Sequence, residues 1–166
     1  MTFTRDDISI RNELRPGDLG FVVYMHGRLY GSEYGYGVDF ETYVARSIFE
    51  FYQRHDPERD RVWYCEHAGR IVGTMFGLDR GDETAQLRYF LIDPDYRGIG
   101  LGGYLMEQFM QYLQEHRFRE AYLLTAPELT AAAILYKRFG FTLAGESPSP
   151  SFGKPAIEQR YEWRRA

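Results

Sequence analysis

The sequence is short of cysteine and of long apolar runs: Cys65 is its single thiol, and no stretch approaches eighteen consecutive apolar residues. One thiol cannot close an internal disulfide, and no Cys/His spacing resembles a zinc site, so neither a disulfide scaffold nor a bound metal is expected. Without a long apolar run there is no spanning helix. Met1 to Arg15 alternates polar, charged and single apolar residues, with neither the apolar core of a signal peptide nor the bias of a transit peptide. A cytoplasmic location is expected. Positive charge is also scarce, since 20 Lys and Arg against 24 Asp and Glu leave a formal charge of −4. Neutralising phosphates needs clustered cations, and Arg160, Arg164 and Arg165 are too few, so no nucleic-acid partner is expected.

What the chain does have is apolar and aromatic mass: 44% of its 166 residues are hydrophobic, with 14 Tyr and 12 Phe. That is enough to bury a continuous core and to wall a pocket, and without a repeat or an interdomain linker it predicts one domain over 1–166. Ile8 to Leu14 suggests a first strand. Asp18 is a candidate cap for a helix carrying Leu19, Val22, Val23, His26, Leu29 and Tyr30, and the glycines of 31–37 predict a loop after it. Asp39 can cap a second helix that buries Phe40, Val44, Ile48 and Phe51. Arg61 to Leu78 reads as a hairpin turning at His67-Ala68-Gly69, and Gln86 to Ile92 as a third strand closed by Asp93-Pro94. A helix after Gly98–Gly103, a strand at 121–125, a helix at 129–139 and two final strands follow. The Ser/Pro/Gly-rich 145–155 segment between those strands is expected to be a loop. The order predicts an α/β fold with a central mixed sheet and helices on both faces.

Chemistry concentrates at Leu91-Ile92-Asp93-Pro94-Asp95-Tyr96-Arg97-Gly98-Ile99-Gly100-Leu101-Gly102-Gly103. A strand, a tight turn and a glycine run at a helix start let consecutive N–H groups face one anion, aided by the helix dipole. A pyrophosphate is the natural guest. These residues resemble the GNAT superfamily of acyl-CoA-dependent N-acyltransferases, whose signature is Arg or Gln, two residues, Gly, one residue, then Gly or Ala. Arg97, Gly100 and Gly102 fill it, and Leu135-Tyr136-Lys137-Arg138-Phe139-Gly140-Phe141 resembles a second family segment. Gly17-Asp18-Leu19-Gly20, His26-Gly27, Glu33-Tyr34-Gly35 and Ser151-Phe152-Gly153 are more closely similar to acetyltransferase modules that follow a MarR-type DNA-binding domain. The chain starts at the catalytic module, so DNA binding is not expected of it.

The resemblance implies a mostly antiparallel mixed sheet flanked by about four helices, acetyl-CoA as cosubstrate, direct transfer to a primary amine, and often a homodimer. It places the thioester and pantetheine arm along Leu91, Ile92 and Asp93, whose N–H groups could polarise the thioester carbonyl. The pyrophosphate falls on Arg97, Gly98, Ile99, Gly100, Leu101, Gly102 and Gly103. Tyr136 matches the tyrosine that protonates the leaving thiolate, although a core aromatic is the other reading. The strand position where some relatives carry a glutamate base holds Gln86, and Leu129 stands where many have Asn. Base candidates are therefore Glu33, His26 and Glu83, each with a plainer reading as a solvated or hydrogen-bonded side chain. Arg88 shares strand parity with Gln86 and Phe90 and could bind an acceptor carboxylate or make a structural ion pair. His26, Tyr34 and Arg88 are the acceptor-side candidates, with Tyr24 and Tyr36 as further walls. The acceptor is expected to be a small molecule.

Two rivals remain. Gly98 to Gly103 also satisfies G-x-G-x-x-G, but Asp93 to Arg97 separate it from the strand and no acidic residue ends the next one, against an NAD-binding unit. Gln86 and Leu129 would suit a non-catalytic acyl-CoA-binding module.

Overall fold

The computed structural model describes residues 2–149 and 152–166. The order is β1 (Ser9–Arg11), α1 (Asp18–Tyr34), α2 (Val38–Arg54), β2 (Arg61–His67), β3 (Arg70–Asp79), β4 (Thr84–Ile92), α3 (Leu101–Glu115), β5 (Glu120–Thr125), α4 (Thr130–Arg138), β6 (Thr142–Ser149) and β7 (Ala156–Arg164). All seven strands join one sheet in the order β1-β2-β3-β4-β5-β7-β6. Only β4 and β5 run parallel, because α3 carries the chain back across a face between them.

Each face is closed by the helices whose apolar stripes the sequence spells out. Phe40, Val44, Ile48 and Phe51 of α2, with Val22 of α1, pack on Tyr64, Phe76 and Leu78. On the opposite face Leu101, Leu105, Met106 and Phe109 of α3 cover Trp63, Met75, Ala85 and Leu87, and Tyr136 of α4 extends the same core. Side chains of this size each stabilise the fold by roughly 1.5–3 kcal/mol when fully buried.

Several expected boundaries shift. The segment 31–37 is not all loop: α1 continues through Tyr34 and stops at Gly35, whose φ of 72° suits glycine and lets its N–H reach back to the Gly31 carbonyl. Glu33 therefore stands on the last helical turn. Gly17 occupies the cap position ahead of Asp18, and Gly37 that ahead of α2, so Asp18 and Asp39 are first-turn residues. Asp18 anchors the front of α1 another way, taking a two-pronged ion pair from Arg11 at 2.6 and 3.0 Å. The 145–155 segment is strand as far as Ser149, since β6 is the sheet edge, where Pro148 costs no ladder hydrogen bond on the open side. The Ser151 of the Ser151-Phe152-Gly153 motif lies outside the described residues.

One irregularity changes which side chains face the site. Phe76 pairs with Arg88 but Thr74 with Leu91, so β4 carries an extra residue there, and Tyr89 takes a φ of 52°. The bulge reverses the alternation. Gln86 and Arg88 share a face as expected, but Phe90 does not share it: Phe90 turns toward Tyr136 of α4, 6.3 Å between ring centroids. Tyr89 and Leu91 instead face α1 and α2, where Tyr89 donates to Ser47 Oγ at 2.7 Å and Leu91 packs on Met25 and Leu29.

Candidate active site

β4 and β5 stay together only briefly. They pair at Thr84–Glu120, Ala85–Ala121 and Gln86–Tyr122, and beyond Gln86 they part. From Leu87 to Ile92 the β5-facing edge of β4 thus lacks a strand partner. Into this gap opens a cleft of about 550 Å³ lined from both sides of the sheet. Such a split presents backbone donors and acceptors to any extended ligand arm.

At one end of the cleft lies the glycine turn. Gly98 and Gly100 adopt φ values of 79° and 85°, and Gly102 approaches so closely that an added Cβ would stand 3.3 Å from Leu135 and 3.6 Å from Ile92. Among the described residues, no hydrogen bond engages the N–H of any residue from Gly98 to Gly103. The first three amides of a helix lack partners by construction, and here three loop amides add to them. This donor set fits a diphosphate. Gly98, Gly100, Leu101, Gly102 and Gly103 line the cleft; Ile99 does not, and instead packs toward the core beneath α3. Leu91 and Ile92 line it, whereas Asp93 sits outside, its N–H held by the Val72 carbonyl at 2.9 Å and its carboxylate capping the Pro94–Tyr96 turn.

Tyr136 reaches the cleft from α4 and is nearly buried, 6% exposed. Burial, with Tyr30 nearby, raises its phenol above the ordinary tyrosine range, so the hydroxyl keeps its proton. Leu129 caps α4, and Leu129 and Thr130 also line the cleft. Gln86 is committed structurally, its Oε1 accepting from Arg80 at 2.8 Å and from Tyr122 at 3.2 Å. Glu83 belongs to the turn before β4 and pairs with Arg119 at 2.9 Å, away from the cleft.

The other end is aromatic. Tyr30, Tyr34, Tyr36, Phe40, Tyr43 and Phe152 line it, with Tyr30 stacked on Phe40 at 4.7 Å and Tyr36 on Phe40 at 5.0 Å. The buried Tyr36 hydroxyl has no close hydrogen-bond partner among the described residues, and the Glu128 carboxylate lies near enough to act on it. His26 lies beneath, its Nδ1 2.8 Å from the Val22 carbonyl. A carbonyl only accepts, so Nδ1 carries the proton and Nε2 the lone pair. Burial lowers this ring to about 4, and the Arg88 charge acts in the same direction. Arg88 lines the cleft with its guanidinium 5.1 Å from the Tyr89 ring, and has no ion-pair partner among the described residues. Glu33 does: both its oxygens accept from Arg97, at 2.8 and 2.9 Å.

Tyr24 is 54% exposed and takes no part. Residues not singled out from the sequence include Tyr30, Tyr43, Ser47 and Glu128. Tyr30 was legible in principle, since His26, Tyr30 and Tyr34 follow each other at four-residue steps on one helix face. Glu128 was not, because only the tertiary fold brings the start of α4 up to the α1–α2 turn. Cys65 is fully buried with its thiol pushed up to about 12, which leaves it unreactive.

A chain with a parallel strand pair that splits beside a free-amide glycine turn matches the sequence profile of the Acetyltransferase (GNAT) family over residues 23–141. The chain belongs to the GNAT family. Its relatives include an uncharacterised N-acetyltransferase of Methanocaldococcus jannaschii, 29% identical over 103 residues that cover 58% of this chain and 45% of the relative. A spermine/spermidine N(1)-acetyltransferase of Bacillus subtilis is 34% identical over 88 residues, covering 48% and 58%. The chain spans about half the length of these curated relatives. Solved GNAT structures share the fold throughout: an acetyltransferase from Streptococcus agalactiae superposes with a TM-score of 0.76 at 21% identity, covering 96% of this chain and 99% of that one. Spermidine N-acetyltransferase from Vibrio cholerae, solved with CoA and spermine, gives 0.70 at 21% identity, covering 96% of each chain.

Proposed function

We propose that this GNAT protein transfers the acetyl group of acetyl-CoA directly to a primary amine of a small molecule. The observation that carries the reading is the set of six unengaged amides from Gly98 to Gly103 beside the opened edge of β4. Acetyl-CoA supplies the activated thioester and a thiolate leaving group. The amides and the α3 dipole hold its diphosphate, and the backbone near Leu91 and Ile92 receives the arm and polarises the carbonyl. As the N–C bond forms and the C–S bond breaks, Tyr136 gives its phenolic proton to sulfur and recovers one from water. The proton released by the amine leaves through the open mouth of the cleft. Glu33, the carboxylate first in line as base, already accepts from Arg97 at both oxygens, which favours a positioning role for it.

His26, Tyr34 and Arg88 belong to the acceptor side. The unpaired guanidinium of Arg88 favours an acceptor bearing a carboxylate. The spermine/spermidine and spermidine enzymes named above keep polyamines among the amines to test. The reading carries no nucleic-acid or membrane partner and places one domain over 1–166 in the cytoplasm. Family habit, with Leu143 on the edge strand β6 and Ile157 on its neighbour β7 each 47% exposed, favours a homodimer. The glycine and tyrosine motifs of 17–35 favour kinship with MarR-linked modules.

The deciding experiment measures thiol release from acetyl-CoA over a panel of amines, amino acids and polyamines. Turnover above the blank is expected, and Arg88→Ala should raise KM for the best carboxylate-bearing acceptor about tenfold or more. Saturable CoA binding without any turnover would make the chain a binding module instead. NADH binding without CoA binding would favour the dinucleotide reading.

A further inference from the structure

Arg97 fills the first position of the family signature, yet all three of its guanidinium nitrogens donate within the protein. Nε donates to the Ile92 carbonyl at 3.0 Å, and the two terminal nitrogens grip Glu33 at 2.8 and 2.9 Å. Ile92 ends the strand whose open edge adjoins the gap, and Glu33 ends the helix that carries His26, Tyr30 and Tyr34. Among the described residues this fork is the one hydrogen-bonded side-chain link between α1 and the β4–α3 segment. Beside it runs an apolar seam of Met25, Leu29 and Leu91 with Phe21 and Tyr30 packed against them.

The two ends of α1 are held differently. At its front the Arg11–Asp18 pair is 11% and 6% exposed; at its back the Arg97–Glu33 pair is 42% and 25% exposed. Water screens an exposed pair and weakens it, so of these two ion pairs the one at the back is the weaker.

We propose that Arg97 is a positioning residue, which ties occupancy of the β4 edge by CoA to closure of the acceptor wall through Glu33, and does not itself hold the diphosphate. A ligand arm that orders the Ile92 backbone steadies Arg97 Nε. Arg97 then holds Glu33, and the turn bearing Tyr30, Tyr34 and Tyr36 is set before the amine arrives. The glycine amides supply the anion site without the guanidinium.

This inference rests on the acyl-CoA reading, and one experiment separates the two. Amide hydrogen exchange of residues 29–37 is followed with and without CoA in wild type, Arg97→Gln, Glu33→Gln, the double variant, and the charge-swapped Arg97→Glu/Glu33→Arg, with calorimetric CoA affinity on each. In wild type, CoA should slow exchange of 29–37 about tenfold or more, a change of about 1.4 kcal/mol in opening. Both single variants and the double should lose that slowing to the same extent and, because coupling is reciprocal, weaken CoA equally and by no more than about tenfold; such non-additivity marks a pair acting as a unit. The charge swap should restore part of it. If Arg97→Gln weakens CoA more than about tenfold and Glu33→Gln does not, Arg97 is a phosphate ligand and the latch is wrong. CoA-dependent slowing that survives in the variants overturns it too, with the acyl-CoA reading intact. A wild type that shows no heat with CoA ends both.

Discussion

Burial beneath the aromatic wall, with Arg88 close by, disfavours the imidazolium of His26 and lowers its titration to about 4. In the unfolded chain the same ring takes up its proton near 6.5. As pH falls from 6.5 to 4 the unfolded state therefore holds the extra proton, and the fold loses stability, by roughly 3 kcal/mol at the lower limit. In His26→Gln that contribution is absent, so the gap in thermal midpoint between wild type and variant should narrow on acidification across this window. A gap that stays constant would mean the ring is not neutral in the fold. Tyr136 is argued at the same scale: a phenol held protonated by its surroundings is ready to donate. Tyr136→Phe should lower kcat by roughly 100-fold or more while calorimetric affinity for acetyl-CoA stays close to wild type. An unchanged rate removes its role. Both residues stand out in the sequence as apolar-face positions, but which chemistry they have depends on neighbours 60 or more positions away in the chain, such as Arg88 for His26 and Tyr30 for Tyr136.

Among the elements, the helices were the most legible, because an apolar residue every three or four positions can be buried only along one stripe. Phe40, Val44, Ile48 and Phe51 of α2 and Leu101, Leu105 and Phe109 of α3 are buried as their spacing requires. Where composition stood in for periodicity, the reading fell short. Glycines at 31 and 35 suggested an early break, yet a helix interior tolerates Gly31, and only Gly35 takes the left-handed turn. Ser and Pro in 145–149 suggested a loop, yet an edge strand accommodates both. The bulge at Tyr89 had no signal at all, since strand parity assumes a regular ladder. The contact between β3 and α3 gives a sharp test at this scale: a Cβ on Gly77 would fall 2.6 Å from Cε1 of the fully buried Tyr112. Gly77→Ala should destabilise the protein by about 1–3 kcal/mol in urea unfolding.

At the scale of the whole molecule, a ligand that binds only the folded chain stabilises it by mass action. Acetyl-CoA at about 100 times its Kd should contribute about 2.7 kcal/mol and raise Tm by roughly 5–10 °C for a domain of this size. NADH at the same concentration should leave Tm unchanged, and the reverse pattern would favour the dinucleotide reading. The sequence by itself determined the order of elements, the two apolar faces that sandwich the sheet, and the glycine turn at the head of α3, because periodicity and backbone freedom are local properties of the chain. Only the tertiary structure decided where β4 and β5 part, which way Arg88 and Phe90 point across the bulge, and that Glu33 and Arg97, 64 residues apart, hold one another. Those depend on through-space packing and charge pairing between distant segments, for which spacing along one chain carries no record.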